Sequence, residues 1–277
     1  MDRRKSEAPA GLSKERAEYL RRKKARRRWV LCCQWGLLLF LVALWEVLAR
    51  LGIIDSFILS QPSRIWRTWA TMFVEGELWL HLWVTVYETL VGFLLGVVLG
   101  VGLAILLWWS DFVAKVSEPY LVVLNSLPKI ALGPVIIIIV GAGTEAIIFM
   151  ALAISLIVTV LEMLGGFRRT DRDAIRMAAT FGATKSQIFR KIVLPSNIGT
   201  LFGSLKINIG LSLVGVIAGE FLVSKAGLGY LIVYGGQVFK LDLVMASVII
   251  LSAVAALMYE GVVLLQRLVM KHRATTE

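Results

Sequence analysis

The chain has 277 residues, 58% of them hydrophobic, with a mean hydropathy of +0.78. So much apolar content excludes an ordinary soluble domain and requires a lipid bilayer as part of the solvent. The formal net charge is +11, but 12 of the 30 Lys and Arg fall within residues 1–28 and most others sit in short segments between apolar runs. That distribution suits membrane lipid and topology control, and it argues against nucleic acid as a partner.

Residues 1–28 read as a basic N-terminal tail, solvated over 1–15. The basic region is long and no A-x-A site follows the apolar run, so Trp29 to Gly52 is expected to remain as an anchor and not to be cleaved as a signal peptide. Cys32 and Cys33 stand together at its start; adjacent cysteines make a poor disulfide, and buried thiols are expected there.

Six spans are predicted, since each needs about 20 mostly apolar residues. The first covers Val30–Leu51, and Ile53–Leu80 follows as an amphipathic segment at the interface. The second span is His81–Trp108, the third Pro119–Val140, the fourth Glu145–Leu164, the fifth Thr200–Val223 and the sixth Leu243–Leu264. Alternate connecting segments 1–28, 109–117, 167–199 and 267–277 carry 12, 1, 7 and 3 basic residues, whereas 53–79, 142–146 and 224–242 carry 2, 0 and 2. The positive-inside rule then puts both termini in the cytoplasm.

In the second span Gly92, Gly96 and Gly100 recur every four residues, which predicts a face for close helix packing, a permeation surface being the alternative. Gly199, Gly203, Gly210, Gly215 and Gly219 repeat the theme in the fifth. In the third span Pro128 and Pro134 break the helical ladder, and broken backbone at membrane depth belongs against protein or water. Asn125, Pro128, Pro134, Lys206, Asn208 and Glu220 are therefore candidates for a translocation path, with Lys206 the candidate attractor for an anion. The alternative for Lys206 is a pairing that fixes helix packing. Glu88 and Glu162 are further acids within spans, while His81 and His272 stand alone and are expected at the interface.

The segment after the fourth span predicts two short helices: one from Arg172 through Phe181, stopped at Gly182, and one capped by Thr184 or Ser186 and running to Leu194, with Pro195 as a boundary. Small residues (Ala174, Ala178, Ala179, Ala183), exposed aromatics (Phe181, Phe189) and cations suit docking into a groove on a partner protein. Gly182, nine residues, then Ile192-Val193-Leu194-Pro195 resemble the coupling-loop signature of ABC importer permeases, Glu-Ala-Ala, three residues, Gly, nine residues, Ile-x-Leu-Pro. Arg176, Met177 and Ala178 fall at the Glu-Ala-Ala positions, so only the last alanine matches. Leu127-Pro128 to Pro134 with Gly141-Ala142-Gly143, and Gly227-Leu228-Gly229-Tyr230-Leu231-Ile232 after Glu220, are similar to the nitrate, sulfonate and taurine branch of that family.

The resemblance implies an all-α, six-span permease of the type I importer fold in a bacterial inner membrane. It would comprise the tail 1–28, a transmembrane domain 29–268 with a coupling loop at 167–195, and a cytoplasmic tail 269–277. Arg176, Met177, Ala178, Phe181, Gly182, Ala183, Ile192, Leu194 and Pro195 would contact a separate ATPase subunit, present in two copies. A second permease copy, as a homodimer, and an extracytoplasmic solute-binding protein would complete the assembly. No phosphate loop of the G-x-x-x-x-G-K-[ST] type and no metal-ligand spacing occur, so neither enzymatic activity nor a cofactor is expected of this chain. The implied solute is a small anion of the sulfonate, nitrate or taurine kind, or a vitamin precursor. The competing class, an ion-coupled secondary transporter or channel, would need dense intramembrane acids and internal symmetry, which the sequence lacks.

Overall fold

The computed structural model describes residues 14–274, and every regular element among them is helical. The chain divides into two units at Arg64/Ile65.

In the first unit α1 runs from Lys14 to Arg50, 37 residues. The basic segment from residue 14 is helical and continuous with the first span; residues 1–13 lie outside the described part. Cys32 and Cys33 are exposed on this helix, not buried as expected. An apolar helix with an exposed perimeter is at home only where lipid or another apolar surface covers it. Its C-terminal end is closed by Glu46, which accepts from Arg50 Nε at 2.8 Å and from the Ser63 amide at 3.1 Å.

In the second unit α2 (Pro62–Glu75, entering from the first) turns Ile65 and Met72 inward. Next come α3 (Glu77–Trp109), α4 (Asp111–Ser126), a 3-10 turn (Lys129–Leu132), α5 (Gly133–Val140) and α6 (Thr144–Arg168). They are followed by α7 (Arg172–Thr180), α8 (Lys185–Ile188), a π turn (Phe189–Val193), α9 (Leu194–Ser196), α10 (Ile198–Val223), α11 (Leu228–Gln237) and α12 (Leu241–Ala274). Among the described residues, five helices are long and apolar enough to cross a bilayer: α1 from Arg28, α3, α6, α10 and α12 to Lys271. The pair α4 plus Lys129–Val140, bent by 86°, makes the sixth passage when taken as one. At 33 residues α3 extends about 50 Å, well beyond a hydrocarbon core of about 30 Å, so it absorbs what sequence periodicity assigned to the end of the interfacial segment.

The core is α3 against α6 against α10, and glycine makes it possible. A Cβ on Gly92 would meet Ala151, one on Gly96 the Ser155 hydroxyl, and one on Gly100 Thr159 at 2.6 Å. The every-fourth glycine pattern is therefore the seat of α6. From α10, a Cβ on Gly215 would lie 2.6 Å from the Ala151 backbone and one on Gly219 3.0 Å from that of Ile147. Ala146, Ile147, Met150, Ala151 and Val160 of α6 are buried between these neighbours. Without a hydrophobic drive between helices in lipid, such close van der Waals contact is what holds a bundle together. Gly199, Gly203 and Gly210, by contrast, face open space.

Candidate functional site

The segment Asp171–Ser196 folds as a compact helical unit. Asp171 Oδ1 accepts from the Asp173 amide at 2.9 Å and starts α7. The turn after α7 needs a left-handed residue, which Gly182 supplies at φ +83°; its amide and that of Ala183 return to the carbonyls of Ala179 and Ala178 at 2.9 and 3.0 Å. Thr184 then caps α8 reciprocally with Gln187: the Gln187 amide donates to Thr184 Oγ1 at 3.3 Å, and the Thr184 amide to Gln187 Oε1 at 2.8 Å. Thr184, not Ser186, is the cap. The second helix does not stop at Leu194; it passes through the π turn and Pro195 to a break at Asn197.

Phe181 is 84% exposed at the tip and Met177 61% exposed on α7. Beside them Ala178, Gly182, Ala183, Ile188 and Ile192 help to line a groove of about 310 Å³. Arg176 is exposed and pairs loosely with Asp173 at 3.7 Å, while Ile192, Leu194 and Pro195 are half-buried at the base. All nine sequence-predicted residues of this loop thus belong to one unit. Phe189 is a correction: it is buried, not exposed. Its ring lies 5.0 Å from Trp108, 5.5 Å from Phe167 and 6.3 Å from Trp109, centroid to centroid. Lys185 adds a second tie, donating to the Trp109 carbonyl at 2.8 Å with its Nζ 5.4 Å from the Trp108 ring centre. Neither tie was legible in the sequence, since Trp108 and Lys185 are 77 positions apart and no pattern links them.

The candidate path residues are placed quite differently from one another. Asn125, Pro128 and Pro134 are exposed at the bend, where Lys129 Nζ donates to the Asn125 carbonyl at 3.1 Å. Lys206 is half-buried on α10 and forms no hydrogen bond or ion pair among the described residues. Asn208 is fully buried and donates to Ser204 O and Oγ at 2.9 and 3.0 Å, leaving Oδ1 without a partner. Glu220, 14 residues beyond Lys206 and so about 21 Å along the same helix, is also buried.

Glu220 closes a polar clasp. Thr85 Oγ1 donates to Glu220 Oε1 and the Gly229 amide to Oε2, both at 2.5 Å. Thr85 Oγ1 in turn accepts from the Leu228 amide at 2.8 Å, and His81 Nδ1 accepts from the Gly227 amide at 3.0 Å. The carboxylate thus sits at the start of α11, where amides are unsatisfied and the helix dipole is positive. A Cβ on Gly227 or Gly229 would run into the Glu220 side chain, which explains why both positions flanking Leu228 are glycine. His81 is a correction too: it is buried, holds a backbone amide and stacks on Tyr230 at 5.9 Å. The side chain of His272 lies outside the described residues. The signal for this clasp was present as Thr85-x-x-Glu88-Thr89, polar residues in an otherwise apolar run.

Residues 93–273 match the model of the binding-protein-dependent transport system inner membrane component family. The chain is 29% identical to a permease protein named for aliphatic sulfonates transport, SsuC of Bacillus subtilis (strain 168), over 99% of each chain. It is 26% identical to the taurine transport system permease protein TauC of Escherichia coli (strain K12), covering 90% of this chain and 94% of TauC. A chain of the MetNI methionine ABC transporter, solved in an inward-facing conformation, superposes with a TM-score of 0.63 at 20% identity, over 70% of this chain and 98% of that one.

Proposed function

This chain belongs to the family of binding-protein-dependent transport system inner membrane components and is a multi-pass permease of the ABC importer class; on that premise we propose that an ATPase subunit docks on Phe181 and its groove, and that the solute is a small organic sulfonate. The observation that carries the docking reading is the contrast within one short unit. Its ends are capped and its base is anchored by Phe189, yet Phe181 stands 84% exposed beside an open groove. A rigid mount with an unburied aromatic tip is what a partner's pocket requires.

The family's inner-membrane character and the apolar helices support a bacterial inner membrane. The basic docking segment is then cytoplasmic with both termini. Two permease copies, two ATPases and an extracytoplasmic binding protein make the working assembly. The chain itself carries no catalytic centre, and ATP is hydrolysed on the partner. The bend at Leu127–Pro128 supports the pairing of two copies. Its broken backbone and Asn125 are exposed, and at membrane depth only protein or water can cover such groups. Asn125, Pro128, Pro134 and Lys206 border the path in this reading. Asn208 and Glu220, both buried, act on it through helix packing.

The sulfonate reading is supported by the two relatives named for sulfonate and taurine transport, and Lys206, half-buried on α10, would be the cation that meets the anion. Uptake of labelled taurine or ethanesulfonate by proteoliposomes tests it. Lys206→Met should lower uptake of these anions while Lys206→Arg retains it. Equal uptake by both variants sinks the role of Lys206. Failure of the wild-type chain to bring down any ATPase on purification sinks the docking reading and favours an ATP-independent transporter.

A further inference from the structure

We propose that Phe189 and Lys185 are positioning residues that deliver the movement of the docking unit to α3 and α6 in preference to α10. The proposal rests on the docking reading above and adds where the motion goes.

A lever works through whatever it is stiffly joined to. The docking unit is joined in two ways of very different character. One is the aromatic packing of Phe189 against Trp108 and Trp109 at the end of α3 and Phe167 near the end of α6. Around it Leu107, Leu164, Ile188 and Val193 close a buried cluster. Close-packed interiors deform little and so transmit displacement. Lys185 pins the same place from the outside, through its bond to the Trp109 carbonyl. That carbonyl is one of the orphan acceptors at a helix C-terminus, where a cation is favoured.

The other join is covalent, along the chain into α10, and it is broken up. The π turn Phe189–Val193 widens the helix by one residue per turn. Pro195 brings no amide to the ladder, and Asn197 at φ −102° ends α9. Asn197 spends its side-chain amide on Val193 O and on Thr170 Oγ1, both at 2.8 Å, which ties this joint back towards the end of α6. The α3–α6 pair is seated by Gly92, Gly96 and Gly100 over about two turns. Motion entering at Phe181 therefore reaches α3 and α6 directly through packed side chains, and reaches α10 by way of α6, on which Gly215 and Gly219 seat it.

The test uses the full importer in proteoliposomes with its ATPase and binding protein, measuring ATPase association, ATP hydrolysis and solute uptake on one preparation. Lys185→Met alters an exposed side chain and Phe189→Leu keeps the cluster apolar, so both should fold. ATPase association should stay within about twofold of wild type. ATP hydrolysed per solute moved should rise about fivefold or more, the lower end of ordinary coupling between sites. Lys185→Arg should restore the wild-type ratio. An unchanged ratio in both variants overturns this proposal alone, as does a ratio that holds while association and uptake fall together. A wild-type chain that binds no ATPase takes down the docking reading and this one with it.

Discussion

Replacing Phe181 with alanine separates a docking residue from a folding residue. The side chain is 84% exposed, so it contributes little to the fold, and Phe181→Ala should change thermal stability by no more than about 0.5 kcal/mol. Fully burying a phenylalanine contributes about 1.5–3 kcal/mol. About four-fifths of this side chain remains to be buried by a partner, so the substitution should weaken docking by about 1.2–2.4 kcal/mol. The dissociation constant would then rise about 8- to 60-fold. Titration of the purified ATPase against the permease in nanodiscs, with a thermal-shift measurement on the same sample, reads both quantities. An ATPase affinity within about twofold of wild type would refute the docking surface. So would a collapse in thermal stability matching the loss of binding, because Phe181 would then be part of the fold.

Gly96→Ala should lower the melting temperature of the detergent-solubilised chain by the equivalent of about 1–3 kcal/mol, since the added methyl overlaps the Ser155 hydroxyl. Gly102→Ala, whose methyl meets nothing within 4 Å, is the control that should leave it unchanged. Gly229→Ala should be destabilising through Glu220, whose Cβ and Oε2 lie 2.9 and 2.7 Å from the new methyl. In the double variant with Glu220→Ala the two losses should sum to less than their separate values, and strict additivity would sink the clasp. Gly182→Ala should cost about 1 kcal/mol at its positive φ and loosen ATPase binding, and Gly182→Asn should cost less, both read by the same titration.

Much of this architecture was legible because the forces that shape a membrane bundle write themselves into sequence at short range. Apolar runs mark α3, α6, α10 and α12. The spacing of Gly92, Gly96 and Gly100 foretells a packed face because i and i+4 share a side of a helix, and Thr184 and Gly182 announce their turns through local chemistry. What sequence hid is long-range. Phe189 looks exposed in a loop because nothing nearby reveals that Trp108 and Phe167 will enclose it. His81 looks like an interfacial residue because the amide it accepts from belongs to Gly227, 146 positions away. The basic residues of α1 before Trp29 look like a tail because charge says nothing about whether a helix continues through them.

The same distinction bears on how the degraded Glu-Ala-Ala segment should be understood. Arg176 stands where the resembled signature has an acid, and among the described residues its guanidinium meets Asp173 alone, in a loose exposed pairing that contributes little. The geometry of the loop does not depend on that position. Asp171, Gly182 and the Thr184–Gln187 box set its shape, and Phe189 and Lys185 set its footing. The charge at Arg176 is therefore free to differ without disturbing the mount, and its effect should fall on the choice of partner. A basic residue there favours an ATPase with an acid at the matching place and disfavours one with a base, since opposed like charges penalise the wrong partner more than a paired charge rewards the right one. Arg176→Glu should accordingly leave thermal stability unchanged while weakening association with the native ATPase, most at low salt, where screening is least. A loss of affinity equal at low and high salt would mean that Arg176 contributes by shape and not by charge.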